Sequence, residues 1–508
     1  MSVNANGTFV LFFANLLSKL FGAFYRLPLS NLLGAEGMGL YQMAFPIYSF
    51  LLTLLTGGIS ITLTRKIAQL RAKQQENDIY KLYILGRNTS VFFGVIFLIL
   101  LLILAYPFSL LQGNTNAFYG YFAISIGFIF ACLLGAYRGY YQGYSNMYPT
   151  AISQVLEQGF KLVFGLLFAF LFLKRGVYFG VFGALLGISL SEITSCLYFL
   201  IINKKHIKKQ KVLVTKKDYV GFCKQVFPVS IAYVLLPLSS LLDSFLVVNL
   251  LKFSGFSLSY ATSLYGVETG MILPLINMPN VLISAIALAY LPILSFKLSK
   301  NENIEKEVNT IFKTVLLFIL PCCVGIYILA RPIVLLIFPT LNEEFLNIAV
   351  NLLRLSVFEM FFLSFVTISN SLLQSLSKIK LPAINLGIGI GVKLVLSVVL
   401  ISNNAFNIYG LVLASMLGYA VTSFINVSYI KKYTKFHLKI IEILAPIFSS
   451  SIMVALILVN DYLFNITSSI LGLFTVVLLS IFIYFLCLYL LKQFSFKEVK
   501  KVLQTKGN

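Results

Sequence analysis

The sequence predicts an all-α integral membrane protein that crosses the bilayer about fourteen times, because its composition is apolar and long apolar runs recur along it. Of its 508 residues, 59% are hydrophobic and 11% are charged, and the mean hydropathy is +0.92. Soluble domains carry roughly 25% charged residues. No polar stretch is long enough to form a soluble catalytic domain, so we expect no enzyme.

Each apolar run of about 18 residues or more is interpreted as one transmembrane helix. The predicted spans are residues 8–30, 38–63, 83–107, 117–137, 149–173, 177–202, 222–250, 262–292, 310–330, 346–376, 381–402, 408–430, 440–461 and 466–491. The apolar segment 331–341 is too short to span. It is therefore predicted to be an interfacial or re-entrant piece.

The basic residues indicate membrane orientation rather than nucleic-acid binding. The net charge is +22, and the positive residues concentrate in every second loop and in the C-terminal tail. The basic loops hold, among others, Arg65, Lys73, Lys205, Lys208, Lys297, Lys378 and Lys432, whereas the intervening loops hold Lys174, Arg175, Lys252 and Arg331. This asymmetry predicts that both termini are cytoplasmic.

Cysteine and histidine usage argues against metal or cofactor chemistry. The six cysteines lie mostly in apolar runs, and the two histidines, His206 and His437, lie in basic loops. No Cys/His set has the spacing of metal ligands. Residues 1–7 lack a basic segment, so no cleavable signal is predicted.

The two halves of the chain echo each other. Gln142 precedes Lys161 by nineteen residues, as Gln374 precedes Lys393. Further matching positions are Leu27–Gly34 with Leu236–Asp243, Gly180 with Gly410, and Ala184 with Ala414. The order of these matches predicts a parallel repeat about an axis along the membrane normal. The expected organisation is an N-terminal lobe (1–203), a basic linker (204–221), a C-terminal lobe (222–432) and an added helix pair with the tail (433–508).

Charged side chains inside the spans are candidate functional residues, because each costs about 2.5–3.5 kcal/mol in hydrocarbon unless it meets a cavity or a partner. Lys19 and Arg26 are seven residues apart and so share one helix face. They are interpreted as a cationic lining that binds a phosphate-bearing head group; the alternative is snorkelling or an interhelical ion pair. The candidate substrate-binding residues are Lys19, Arg26, Arg65, Arg138, Lys161, Arg354 and Lys393.

Carboxylates within the predicted spans are candidates for binding a coupling ion, either Na⁺ or a proton. They are Asp243, Glu157, Glu192, Glu268 and Glu359. Asp243 lies beside Ser239, Ser240 and Ser244, and hydroxyl groups around a carboxylate suit a small cation. The alternative interpretation of Asp243 is an ion pair with a cation of the second lobe. Glu157 precedes Lys161 by four residues, so these two could instead pair with each other.

Motifs near the start of the chain carry a family resemblance. They are Leu17-Ser18-Lys19-Leu20-Phe21-Gly22, Tyr25-Arg26-Leu27-Pro28-Leu29, Gly37-Met38-Gly39-Leu40-Tyr41-Gln42, Pro46-Ile47-Tyr48 and Thr56-Gly57-Gly58-Ile59. Later matches are Leu264-Tyr265-Gly266, Thr269-Gly270-Met271 and Leu273-Pro274-Leu275. Together they resemble the SpoVB-type polysaccharide biosynthesis branch of the MOP exporter superfamily over essentially the whole chain.

The resemblance implies a flippase for lipid-linked glycans in a bacterial inner membrane, similar to the MurJ and Wzx types. It implies two six-helix lobes around a cationic cavity, with Lys19 and Arg26 on its first helix and a sodium-site carboxylate at Asp243. It also implies that the last two spans offer a groove to a prenyl tail. The chain departs from MurJ-like proteins at Thr56-Gly57-Gly58 and before Pro274, where those proteins carry charged residues.

The expected function is therefore translocation of an undecaprenyl-diphosphate-linked saccharide, such as a peptidoglycan precursor, by a protein that acts as a monomer. Its expected partners are this lipid-linked glycan and membrane lipids. A drug/cation antiporter of the MATE type is the alternative within transport, although it would favour an acidic cavity. A membrane-embedded glycan polymerase or transferase is the enzyme alternative, and a scaffold for cell-wall or spore-coat assembly is a third.

Overall fold

The computed structural model describes residues 5–206, 212–300, 302–378, 380–464 and 469–493, and within these ranges the regular structure is entirely helical. The α helices are α1 (Ala5–Leu52), α2 (Gly58–Ala72), α3 (Glu76–Leu111), α4 (Phe118–Ser125), α5 (Phe128–Gly143), α6 (Tyr148–Leu173), α7 (Val177–His206), α8 (Lys216–Phe253), α9 (Leu258–Gly266), α10 (Leu273–Ser299), α11 (Glu305–Ile328), α12 (Ala330–Ile337), α13 (Glu343–Ser375), α14 (Lys380–Ile401), α15 (Tyr409–Thr434), α16 (Ile440–Phe464) and α17 (Ile470–Leu490). Short π-helical turns at Thr53–Gly57 and Val267–Ile272 join α1 to α2 and α9 to α10.

The predicted membrane-protein class is confirmed. Twelve helices among the described residues are long and apolar enough to cross a membrane, or thirteen if the pair Thr115–Ser125 and Phe128–Gly143, bent by 46°, is one span. The count of fourteen and the orientation of the termini stay predictions. The short apolar segment after span 9 forms the eight-residue helix α12, too short to cross.

The first helical stretch contains a sharp break. Phe13–Ala72 is a run of 60 residues, which extends about 90 Å at 1.5 Å per residue. The hydrocarbon core is only about 30 Å thick. At Gly34 the backbone has φ 67° and ψ −174°, a conformation that glycine adopts readily. The break falls between the predicted spans 8–30 and 38–63, and α2 continues beyond 63 because its polar last turns extend past the apolar run.

The chain forms two compact units, Met1–Met271 and Ile272–Asn508. The first unit contains α8 and α9 in addition to α1–α7. Hydrogen bonds of buried side chains join α8 and α9 to the rest of this unit. The Gln112 Nε2 group donates to the Ser244 hydroxyl at 2.9 Å, and the Asn114 Nδ2 group donates to the Thr262 hydroxyl at 2.9 Å. The sequence repeat predicts a boundary at 204–221 between two lobes of equivalent sequence. This boundary stays a prediction.

Two glycines bring α1 and α9 into backbone contact within the first unit. A Cβ atom on Gly39 would lie 2.1 Å from the Thr262 carbonyl oxygen, and one on Gly266 would lie 2.0 Å from the Ala35 carbonyl oxygen. Real Cβ atoms do not approach so closely, so these positions require glycine. The contact fixes the second half of α1, which carries several residues of the candidate site.

In the second unit, α16 and α17 pack against α11. The Tyr484 hydroxyl donates to the Leu317 carbonyl at 2.8 Å, and Leu317, Met453 and Tyr484 belong to one buried cluster. The other faces of α16 and α17 are exposed and apolar, with Phe448 of α16 58% and Phe474 of α17 62% exposed. Such faces suit contact with lipid.

We expect Gly266→Ala to destabilise the protein by about 1–3 kcal/mol, because the added methyl group meets backbone atoms that cannot rotate away. Gly159→Ala is the matched control, since a Cβ there has no neighbour within 4 Å and alanine favours helix by about 1 kcal/mol. Thermal unfolding in detergent measures both. Equal unfolding midpoints for the two variants would contradict the tight contact.

Candidate substrate and ion sites

Two cations share one aromatic ring in the first unit. The Arg26 guanidinium carbon lies 5.9 Å from the centroid of the Phe45 ring, and the Lys161 Nζ atom lies 5.5 Å from the same centroid. Lys161 Nζ also lies 5.2 Å from the centroid of the Tyr25 ring. We call Tyr25, Arg26, Phe45 and Lys161 the cation–aromatic cluster.

Packing between α1, α6 and α7 holds the aromatic side of this cluster. Tyr25 is only 1% exposed, and its hydroxyl donates to the Ala184 carbonyl at 3.3 Å. Gly165 of α6 lies against the Tyr25 ring, where a Cβ would come within 2.6 Å of it. On the other side, Phe45 stacks on Tyr41 with centroids 5.6 Å apart. The rings beneath the two cations are therefore fixed in position.

The nearby carboxylate is occupied by a different cation. Glu157 Oε2 accepts from Arg138 at 2.7 Å, and Glu157 Oε1 accepts from Gln158 at 3.1 Å. Arg138 also donates Nε to the Ser153 hydroxyl at 3.0 Å. The pairing of Glu157 with Lys161 that the sequence left open is not observed. The positive charge of Arg138 is therefore balanced by Glu157.

The cluster therefore brings two positive charges to one aromatic ring. Among the residues that the structure describes, neither Arg26 nor Lys161 makes a salt bridge. Cation–π contacts contribute about 0.5–2 kcal/mol each, and two like charges near one ring repel each other. An anion placed between them would relieve this repulsion. A phosphate group suits both partners, because arginine binds it in a bidentate way and lysine supplies a point charge.

Among the described side chains, the contacts of the cation–aromatic cluster include none of Arg65, Arg354 and Lys393. The Lys19 side chain lies outside the described part of the structure, and Arg65 is exposed on α2. In the second unit, the Arg354 guanidinium carbon lies 5.9 Å from the Tyr327 ring centroid, and Lys393 is 6% exposed. Their predicted role in substrate binding stays a prediction.

Four of the predicted coupling carboxylates are buried. Glu192 is 4% exposed and accepts a hydrogen bond from the Tyr48 hydroxyl. Asp243 is 8% exposed and lies close enough to Tyr265 for electrostatic interaction. Glu268 and Glu359 are buried as well.

The hydroxyl groups expected around Asp243 are only partly available to it. The Ser244 hydroxyl donates to the Leu241 carbonyl at 2.7 Å and accepts from Gln112, whereas Ser240 is exposed. No group of three or more His, Cys, Asp or Glu residues with the geometry of a metal site occurs in the described ranges. A cation at Asp243 would therefore need oxygen ligands beyond the hydroxyls of Ser240 and Ser244.

Sequence reasoning missed the aromatic residues of the site. Tyr41, Phe45 and Tyr48 are spaced by four and three residues, which places them on one face of α1. Phe45 contacts the two cations and Tyr48 contacts Glu192. The spacing was visible in the sequence, but in an apolar helix it is indistinguishable from ordinary core packing.

Many spanning helices with charged side chains held among them are typical of a membrane transporter. Residues 5–297 match a family model described as "Polysaccharide biosynthesis protein". This match covers more than half of the 508 residues, and the chain belongs to this family. The membership that the motifs predicted is confirmed.

One curated relative agrees with the family. The chain is 24% identical to "Lipid II flippase MurJ" of Bacillus subtilis (strain 168) over 461 residues, which cover 86% of this chain and 84% of the relative.

Among solved structures, "Lipid II flippase MurJ, inward closed conformation" matches with a TM-score of 0.74 and 18% identity, covering 94% of this chain and 98% of that one. An inward-facing multidrug resistance MATE family transporter of the MOP superfamily matches with a TM-score of 0.64 and 17% identity, covering 82% and 94%. At such low identity these two structures show a shared fold alone.

We expect the effects of Arg138→Ala and Glu157→Ala on stability to be non-additive, because each removes the same ion pair. Their coupling energy should be about 0.5–3 kcal/mol. The pair Lys161→Ala and Glu157→Ala should show a smaller coupling energy and serves as the comparison. Thermal unfolding of the single and double variants gives both coupling energies, and a larger coupling for Lys161 would show that Glu157 pairs within its own helix.

Proposed function

We propose that this chain is a flippase that moves a polyprenyl-diphosphate-linked saccharide across the cytoplasmic membrane. The observation that carries this proposal is the cation–aromatic cluster, in which Arg26 and Lys161 share Phe45 while Glu157 pairs elsewhere. The family membership and the relative named as a lipid II flippase support it. A peptidoglycan precursor is the saccharide that this relative's name favours.

The chemistry of the cluster fits a diphosphate better than a neutral or cationic solute. A diphosphate in hydrocarbon needs cations and hydrogen-bond donors, and charge-assisted hydrogen bonds are roughly twice as strong as neutral ones. Arg26 offers a planar fork of donors, and Lys161 offers a mobile ammonium group. Phe45 and Tyr25 hold these two groups in place without neutralising them.

Translocation requires no covalent chemistry. The protein shields the polar head group from hydrocarbon while the polyprenyl tail stays among lipids. The exposed apolar faces of α16 and α17 suit contact with such a tail. A membrane potential that is negative inside favours outward movement of an anion by about 2.3 kcal/mol per charge per 100 mV. Alternating access by two lobes, as the family resemblance implies, would complete the cycle.

The fold alone does not separate this proposal from a MATE-type antiporter, because both classes match it. The charge of the cluster favours the flippase: a site for cationic drugs would place carboxylates among the aromatic rings, whereas this site places Arg26 and Lys161 there. The polymerase or transferase alternative lacks support from the matched relatives, which are named as a flippase and as transporters.

We expect Arg26→Gln and Lys161→Gln each to slow flipping by about tenfold to one-hundredfold, since a hydrogen bond to a charged group contributes about 1.5–3 kcal/mol. Arg26→Lys should be impaired as well, because lysine cannot form a bidentate contact. The measurement is flipping of a fluorescent polyprenyl-diphosphate glycan in liposomes.

Arg87→Gln is the matched control for these variants. Arg87 also lies over an aromatic ring, 5.9 Å from the Tyr83 centroid, but it lies outside the cation–aromatic cluster. The Arg87→Gln variant should flip the glycan substrate at the wild-type rate. Wild-type rates for both Arg26→Gln and Lys161→Gln would assign the cluster a structural role and remove the main support for the proposal.

Asp243 is proposed as the site of a coupling cation or proton. Asp243→Asn keeps the size of the side chain and removes its charge, so it should lower the dependence of flipping on Na⁺ or pH while leaving lipid binding intact. Flipping rates across sodium and pH gradients measure this. Unchanged ion dependence would mean that Asp243 has no part in coupling.

A further inference from the structure

A basic pocket lies in the first unit, on helices that do not contribute to the cation–aromatic cluster. It is a cavity of about 450 Å³ between the end of α2 and the starts of α3 and α8. Its lining residues are Lys66, Gln69, Leu70, Lys73, Asp78, Lys81, Leu82, Leu85, Lys217, Asp218, Gly221, Phe222 and Gln225. We call this cavity the basic pocket.

The walls of the basic pocket are held by contacts between α3 and α8. Lys81 Nζ lies 2.9 Å from Asp218 Oδ1, and Asn88 donates Nδ2 to the Tyr219 hydroxyl at 2.9 Å. Beneath them, Leu82 and Phe222 belong to one buried apolar cluster. Polar contacts and apolar packing therefore hold the walls of the cavity together.

The charges of the basic pocket favour an anion. Four lysines and two aspartates line it, which leaves an excess of two positive charges. Asp218 is already engaged: it accepts from Lys81, and also from the backbone and hydroxyl of Thr215 at 2.8 Å each. The hydrogen bond from Lys81 is the main cause that lowers the pKa of Asp218 to about 2. Within the described residues, Lys66, Lys73 and Lys217 make no salt bridge.

The apolar walls favour a lipid over a soluble anion. Leu82, Leu85 and Phe222 are nearly fully buried and line the cavity beside the lysines. On α8, Val220 is 51%, Phe227 is 60% and Ile231 is 49% exposed. Their spacing of seven and four residues places them on one helix face. This exposed apolar stripe begins one residue from Gly221 and offers acyl chains a path away from the pocket.

We propose that the basic pocket binds the phosphate head group of an anionic membrane phospholipid, with its acyl chains along the exposed face of α8. Basic pockets between transmembrane helices on the cytoplasmic side bind such head groups. The pocket lies beside loops that the sequence predicts to be cytoplasmic. Binding would join α2, α3 and α8 through one shared ligand and so stabilise this part of the first unit.

The test titrates phosphatidylglycerol against the detergent-solubilised full chain and follows the thermal unfolding midpoint. Phosphatidylcholine and sodium phosphate are the comparison ligands. Lys66→Gln/Lys217→Gln removes two lining charges, whereas Lys216→Gln/Lys224→Gln removes two charges from α8 that do not line the cavity. We expect saturable stabilisation by phosphatidylglycerol alone, with a half-saturating concentration about tenfold or more higher in the first double variant only.

A second pair of variants keeps the test independent of folding. A Cβ on Gly221 meets no atom within 4 Å, so a side chain there fits into open space. Gly221→Glu should weaken phosphatidylglycerol binding and Gly221→Lys should strengthen it, although both add a long side chain at one position. Equal affinities in these two variants, or equal losses in the two double variants, would overturn the proposal. Equal stabilisation by sodium phosphate would overturn the lipid as the ligand.

Discussion

The cost of placing charge in hydrocarbon governs how the ionisable side chains of this protein are arranged. Both carboxylate oxygens of Glu157 accept hydrogen bonds, one from Arg138 and one from Gln158. Glu192 accepts a hydrogen bond from the Tyr48 hydroxyl. Arg26 and Lys161 meet aromatic faces in place of carboxylates. Aromatic contacts hold a cation without cancelling its charge, and an anionic ligand can then complete the site.

The frame around that site depends on close backbone contacts. Gly39 and Gly266 bring α1 against α9, and Gly165 lets α6 approach Tyr25. The break at Gly34 divides α1, so that Arg26 lies before it and Phe45 after it. Both halves nevertheless contribute to one cluster, because α6 presents Lys161 to Tyr25 and to Phe45. Movement of either half of α1 would therefore change the spacing of the two cations, which is a property a transporter can use.

Local hydropathy predicted the spans well and the contacts poorly. Spans 149–173 and 381–402 agree closely with Tyr148–Leu173 and Lys380–Ile401, because apolar length is a local property. The partner of Glu157 is determined by tertiary packing. Lys161 is four residues away on the same helix, yet Glu157 forms its salt bridge with Arg138 of α5. The grouping of α8 with the first seven helices was likewise hidden, since a sequence repeat identifies equivalent segments and not their neighbours.

The proposed flipping requires Arg26 and Lys161 together to recognise a diphosphate. Native mass spectrometry of the protein with undecaprenyl diphosphate and undecaprenol, which share a chain and differ in charge, measures this recognition. We expect the wild-type protein to retain undecaprenyl diphosphate in strong preference to undecaprenol, and the double variant Arg26→Gln/Lys161→Gln to lose this preference. An undiminished preference in the double variant would show that these two cations do not recognise the diphosphate.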